Sequence, residues 1–128
     1  MDQRAAADAY RTASIENAPP IKIVRLLYEG ALRSLHQAER EDPSDPSSAF
    51  IDRVENADAI VSELRLAIDH SVETDITVDL ERLYLFCEAE LGRAGLERST
   101  KPLPGVRKVL ATLLDAWRSV EIETKTSA

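Results

Sequence analysis

Cysteine is almost missing from this chain: Cys87 stands alone, so no internal disulfide can form and a reducing compartment is expected. Glycine is scarce too, with four in 128 residues, beside two phenylalanines and one tryptophan. A chain poor in these and rich in Ala, Leu, Glu and Arg predicts an all-α protein. No strand pattern is evident, and hence no glycine-rich phosphate loop following one. No apolar run approaches the ~20 residues that span a bilayer. The opening Met-Asp-Gln-Arg lacks the apolar core of a secretory signal. These absences predict a cytoplasmic protein with no membrane insertion.

Positive charge is thinnest in the middle of the chain. Residues 41–90 hold fourteen of the 23 acids but three of the 16 bases, within a net charge of -7. An acidic middle repels phosphate backbones, which argues against nucleic-acid binding. The simplest reading of the block is a solvated acidic face; an acidic docking surface is the alternative.

What the chain does have is four stretches with apolar residues at helical spacing. The first helix is expected over about 20–41, opened by Pro20, where a missing N–H costs nothing, with Asn17 the nearest side-chain cap. Val24, Leu27, Ala31, Leu35 and Ala38 form its stripe. Ile23, Leu26, Tyr28 and Leu32 widen that stripe beyond what one neighbour requires. Asp45 reads as an N-cap and Pro46 as the start of a second helix over 46–71, with Phe50, Val54, Ala57, Val61, Leu64 and Ile68 inward. The third, over 75–94, carries Ile76, Leu80, Leu83, Cys87, Leu91 and Ala94 and is expected to end at Gly92 and Gly95. The fourth, over 104–122, carries Val106, Leu110, Leu113, Trp117 and Val120, with 123–128 frayed. Stripes alternating by three and four predict an antiparallel four-helix bundle over 19–122 with crossing angles near about 20°. Residues 1–18 form a separate lead, extended or briefly helical, packing on the bundle.

Several apolar residues fall off these stripes. Leu66 lies about 200° round the helix from Leu64, and Leu85 stands likewise to Leu83. Val78 is one heptad before Leu85. Single exposed leucines are ordinary, yet with the broad first helix they add up to more apolar surface than a lone bundle buries, as at a partner site. Gly30 adds to this, since glycine inside a helix costs roughly 1 kcal/mol against alanine and calls for a packing or functional reason.

Catalytic chemistry has no foothold. His36-x-x-Glu39 and His70-x-x-Glu73 reverse the Glu-x-x-His order of carboxylate di-metal bundles, so solvated or capping histidines are the reading, with no metal and no cofactor. Cys87 falls on a core stripe, where a thiol is inert. The arginines are scattered without convergence. No catalytic residue is assigned, and the chain is read as not an enzyme.

One stretch points further. Tyr10, Ile15, Asn17-Ala18-Pro19-Pro20, Ile23-Val24 and Leu27-Tyr28-Glu29-Gly30-Ala31 follow one another without a gap. The order resembles the N-terminal pattern of the flagellin-specific export chaperones, the FliS family. Ala59 to Leu64 with Ile68-Asp69, Asp79 to Tyr84, and Leu110, Leu113 and Asp115-Ala116-Trp117 resemble that family's later helices, so the likeness covers about residues 9–120. Pro19 departs from the family's usual serine, and Glu73-Thr74-Asp75 from its glycine pair. The resemblance implies a cytoplasmic bacterial chaperone that binds the disordered C-terminal segment of flagellin, prevents premature polymerisation and keeps it export-competent. It leaves flagellar export-gate components as a further partner class. It also implies that Tyr10 and Ile15 dock on the bundle until flagellin displaces them. Ile23, Leu27, Tyr28, Gly30, Leu66, Val78 and Leu85 complete the expected partner surface, Gly30 by permitting close backbone approach. The alternative is an all-α regulatory or assembly module that uses the same surface to homodimerise; monomer and weak dimer both remain open.

Overall fold

The computed structural model describes residues 21–68, 71 and 74–127, and all regular structure within them is α-helix. The helices are α1 (Ile21–Glu39), α2 (Phe50–Leu66), α3 (Asp75–Glu97) and α4 (Leu103–Ser127). Each has one face buried at alternating steps of three and four. In α2 that face is Phe50, Val54, Ala57, Val61 and Leu64; in α4 it includes Leu103, Val106, Leu110, Leu113, Trp117 and Val120. The four faces meet in one core, which closes the bundle in the order α1, α2, α3, α4 and back to α1. Burying a large apolar side chain is worth roughly 1.5–3 kcal/mol, so this shared core is what holds the helices together.

Side-chain partners fix the directions. Along α1 and α2, an ideal Cβ on Gly30 would touch Ile60, and Ser34 bonds to Asn56, so residue numbers rise on one helix as they fall on the other. Between α1 and α4, Arg107 pairs with Glu39 at 2.9 Å and Arg118 with Glu29 at 3.6 Å, the same reversed order. α1 is therefore antiparallel to both neighbours. Across the diagonal, Tyr28 of α1 and Tyr84 of α3 are both fully buried and hydrogen-bond through their hydroxyls, with ring centroids 6.4 Å apart.

The ends of the helices depart from the sequence expectation in four places. Asp45 does not cap α2, which starts at Phe50 with Ala49 at its N-cap and no side-chain cap. Asp45 instead accepts from the Ser47 N–H at 2.9 Å and its hydroxyl at 2.8 Å, and those bonds hold its carboxyl below the usual value. Asp42 does the same for Ser44, so two Asp-Pro-Ser turns follow in succession, the second of them occupying the expected start of the helix. At its far end α2 stops at Leu66, short of the expected residue 71.

α3 runs straight through Gly92 and Gly95 to Glu97. Its inward stripe continues to Leu91 and Ala94, and burial there outweighs the glycine penalty. The stop is Arg98, in the left-handed region at φ 49°, followed by a Ser99 N–H to Ala94 carbonyl bond of 3.0 Å. At its start Thr74 caps the helix in a reciprocal pair with Thr77. α4 extends to Ser127 rather than ending near Ile122; no proline or glycine after Val120 breaks it.

α3 is also turned by a small fraction of a turn from its expected orientation. Leu83 and Ile76 are only partly buried, while Tyr84 and Thr77 lie inside. Both inward residues are polar and satisfied, Tyr84 by Tyr28 and Thr77 by Thr74. A double-mutant cycle of Tyr28→Phe and Tyr84→Phe, read by chemical denaturation, is expected to give a coupling of about 0.5–1.5 kcal/mol. Additive effects would mean that the two hydroxyls do not support each other.

Candidate partner-binding surface

α3 carries two stripes. Besides the inward set, Val78, Arg82, Leu85, Ala89, Gly92 and Leu96 succeed one another by four, three, four, three and four on a face turned away from the core. Val78 is half-buried and the others are exposed, Leu96 at 88%. Phe86 adjoins the stripe at 45% exposure. A side chain that apolar and that exposed gains nothing for the isolated bundle. Gly92 belongs here too: a Cβ added to it would meet nothing within 4 Å.

The ground beneath the stripe is tied down by polar contacts to α2. Glu88 accepts from the Ser62 hydroxyl at 2.6 Å and from Arg65 at 3.0 Å. Asp58 sits in the same seam, with one carboxylate oxygen buried and without a hydrogen-bond partner among the described residues. Burial and, secondarily, the charges of Glu88 and Glu55 push its carboxyl above the usual value. Cys87, on the inner side, is fully buried, and its thiol is pushed up to about 12 by burial and by the neighbouring Glu88 and Glu90.

The expected site residues do not form one patch. Val78 and Leu85 lie on the α3 stripe, and Leu66, 71% exposed, is the last residue of α2. Ile23 is exposed on α1, and Leu27 is half-buried against the core. Tyr28 is not at the surface: it is core, facing Tyr84. Gly30 is not compelled by close packing either, since an ideal Cβ would sit 3.5 Å from Ile60 Cδ1, an ordinary contact. Tyr10 and Ile15 lie outside the described residues, as do His70 and Glu73. Phe86, Ala89, Gly92 and Leu96 went unread in the sequence, although their three-and-four spacing from Val78 was there to follow. Reading Gly92 and Gly95 as a stop cut the stripe short.

Among the described residues, no helix is long and apolar enough to cross a membrane, and no group of three His, Cys, Asp or Glu side chains is placed to hold a metal. The family model described as flagellar protein FliS matches residues 2–124. The chain belongs to the FliS family. FliS relatives with curated names include the flagellar secretion chaperone FliS of Campylobacter jejuni, 28% identical over 94% of this chain and 94% of its own. The flagellar secretion chaperone FliSB of Pseudomonas aeruginosa is 27% identical over 84% of this chain and 86% of its own. That of Bacillus subtilis, again named flagellar secretion chaperone FliS, is 23% identical over 91% and 87%. FliS is a chaperone family, not an enzyme family.

Asp58 yields a test of the seam that carries the FliS stripe. A carboxyl whose folded pKa is raised binds its proton more tightly folded than unfolded, so ionised Asp58 works against folding at neutral pH. Asp58→Asn is therefore expected to raise Tm at neutral pH. The gain should fade as pH falls below the ordinary aspartate value of 3.8, where wild type and variant carry the same charge. A pH series of thermal melts checks this; a Tm that falls at neutral pH would show that the carboxylate is needed.

Proposed function

We propose that this chain is a cytoplasmic flagellar secretion chaperone that binds the disordered C-terminal segment of flagellin, prevents its premature polymerisation and keeps it competent for export. Membership of the FliS family supports the chaperone role, and the names of its relatives support flagellar secretion. The observation that carries the reading is the exposed stripe of α3, from Val78 through Leu85 and Ala89 to Leu96, with Phe86 beside it. A segment that later packs into a filament presents apolar residues while unfolded. Folding into a helix against the stripe hides them, and the ordering entropy offsets part of the contact energy, so binding stays reversible.

Gly92 fits this role. It costs the helix roughly 1 kcal/mol and answers no contact within the bundle, but a bare backbone lets a second helix lie close. Tyr10 and Ile15, in the lead, are proposed to cover part of the surface until flagellin displaces them, with Ile23 and Leu66 extending the contact. Leu27, Tyr28 and Gly30 would support that surface from beneath.

Three measurements test the proposal. Titration calorimetry with a flagellin C-terminal peptide is expected to show at least about tenfold weaker binding for Leu85→Lys combined with Leu96→Lys. Because both side chains are exposed, Tm should stay within the range of ordinary surface changes. Undiminished affinity would move the site elsewhere, and a concentration-dependent homodimer that ignores the peptide would favour the assembly module. Gly92→Ala should stabilise the helix by about 1 kcal/mol and yet weaken the peptide; tighter binding would contradict close approach. Removing residues 1–15 should leave the fold intact and raise the association rate of a fluorescein-labelled peptide in stopped-flow anisotropy. An unchanged rate would mean that the lead covers nothing.

A further inference from the structure

Against the acidic character of the chain stands a groove of about 460 Å³ between α1 and α4. Its walls carry Arg33, His36 and Arg40 from the α1 side and Arg118 from α4, over the apolar Leu32 and Leu114. Glu29 is the one acid in the lining, and it is already engaged by Arg25 at 2.8 Å and Arg118 at 3.6 Å, which hold its carboxyl below the usual value. The next acid along, Glu39, is held by Arg107. Arg33 and Arg40 are exposed and make no ion pair among the described residues. Two uncompensated guanidinium groups beside an apolar floor, in a molecule of net charge -7, are the complement of a carboxylate-bearing apolar segment.

We propose that this groove is a second docking site, which takes an acidic amphipathic helix of a protein partner other than flagellin. From Glu29 to Arg40 the groove runs roughly 16 Å along α1, the length of three turns of a partner helix. Leucines one turn apart on that helix would rest on Leu32 and Leu114, and flanking carboxylates would meet Arg33 and Arg40. A nucleic acid fits worse, because its phosphate backbone has no apolar face to lay on Leu32 and Leu114. The groove lies on α1 and α4, whereas the stripe proposed for flagellin lies on α3, so both can be occupied together. A chaperone that must deliver its cargo gains from such a handle.

The test uses the full chain and a fluorescein-labelled synthetic helix of about sixteen residues, with leucines on one face and glutamates flanking them, read by anisotropy. Binding is expected to weaken as salt rises and to fall at least about tenfold in Arg33→Glu combined with Arg40→Glu. Lys101→Glu with Lys108→Glu makes the same charge change at exposed positions outside the groove and should leave binding within about twofold. Saturating flagellin C-terminal peptide should not displace the probe. Equal loss in both double variants, or displacement by flagellin peptide, would overturn the proposal. So would equal competition by a single-stranded oligonucleotide, or self-association that the Arg33 and Arg40 changes abolish. The groove variants should still bind flagellin peptide, so failure here is separable from failure of the α3 site.

Discussion

The buried hydrogen bond between Tyr28 and Tyr84 is the constraint from which the rest of the arrangement follows. Two phenol hydroxyls inside an apolar core must find partners or cost their desolvation, and these two find each other across the bundle's diagonal. α1 and α3 do not share a seam, so this contact sets their relative height and rotation directly. It turns Tyr84 inward and leaves Leu83 at the edge of the core. Leu85 and its companions at three-and-four spacing lie on the opposite arc of the helix and face outward whether Leu83 or Tyr84 is inside. The exposed apolar stripe on α3 is therefore set by the spacing of its residues, and the tyrosine bond fixes the core it stands on.

Charge divides the molecule in a related way. The acidic middle of the sequence is α2, its flanking links and most of α3, and it folds into one side of the bundle. There Glu88 is shared by Ser62 and Arg65, while Asp58 is left with a raised pKa. The groove between α1 and α4 is lined by Arg33, Arg40 and Arg118, and Glu29 and Glu39 beside them are already paired. One side thus offers apolar surface over an acidic seam, and the other offers cations over an apolar floor. A chaperone that holds a cargo and is itself recognised has use for two such faces.

The bundle was legible because burial needs a periodic stripe, and four periodic stripes are plain in the sequence. Phe50 to Leu64, and Leu80, Cys87 and Leu91, fall inside as their spacing demands. Family membership was legible from Tyr10 to Ala31, and Val78 and Leu85 already stood out as surplus. What escaped was set by contacts between segments distant in sequence or by local turn chemistry. Thr77 and Tyr84 lie inside because Thr74 and Tyr28 meet them, and no periodicity in α3 announces that. Asp45 could cap a helix or a turn; the serine two residues on decided for the turn. Gly92 and Gly95 looked like punctuation because their helix cost was visible while the core burial outweighing it was not. Gly30 was expected to permit close approach of another chain or helix; the bundle's own packing does not require it, since its place leaves room for a methyl group.

The central claim is that α3's outward stripe holds the flagellin segment while the core beneath it stays as it is. Methyl NMR of the full chain, titrated with the flagellin C-terminal peptide, addresses that claim residue by residue. The account predicts large shifts for the methyls of Val78, Leu85 and Leu96, with those of Val61 and Leu110 in the core nearly unmoved. A complex that forms while the α3 methyls stay in place would contradict it.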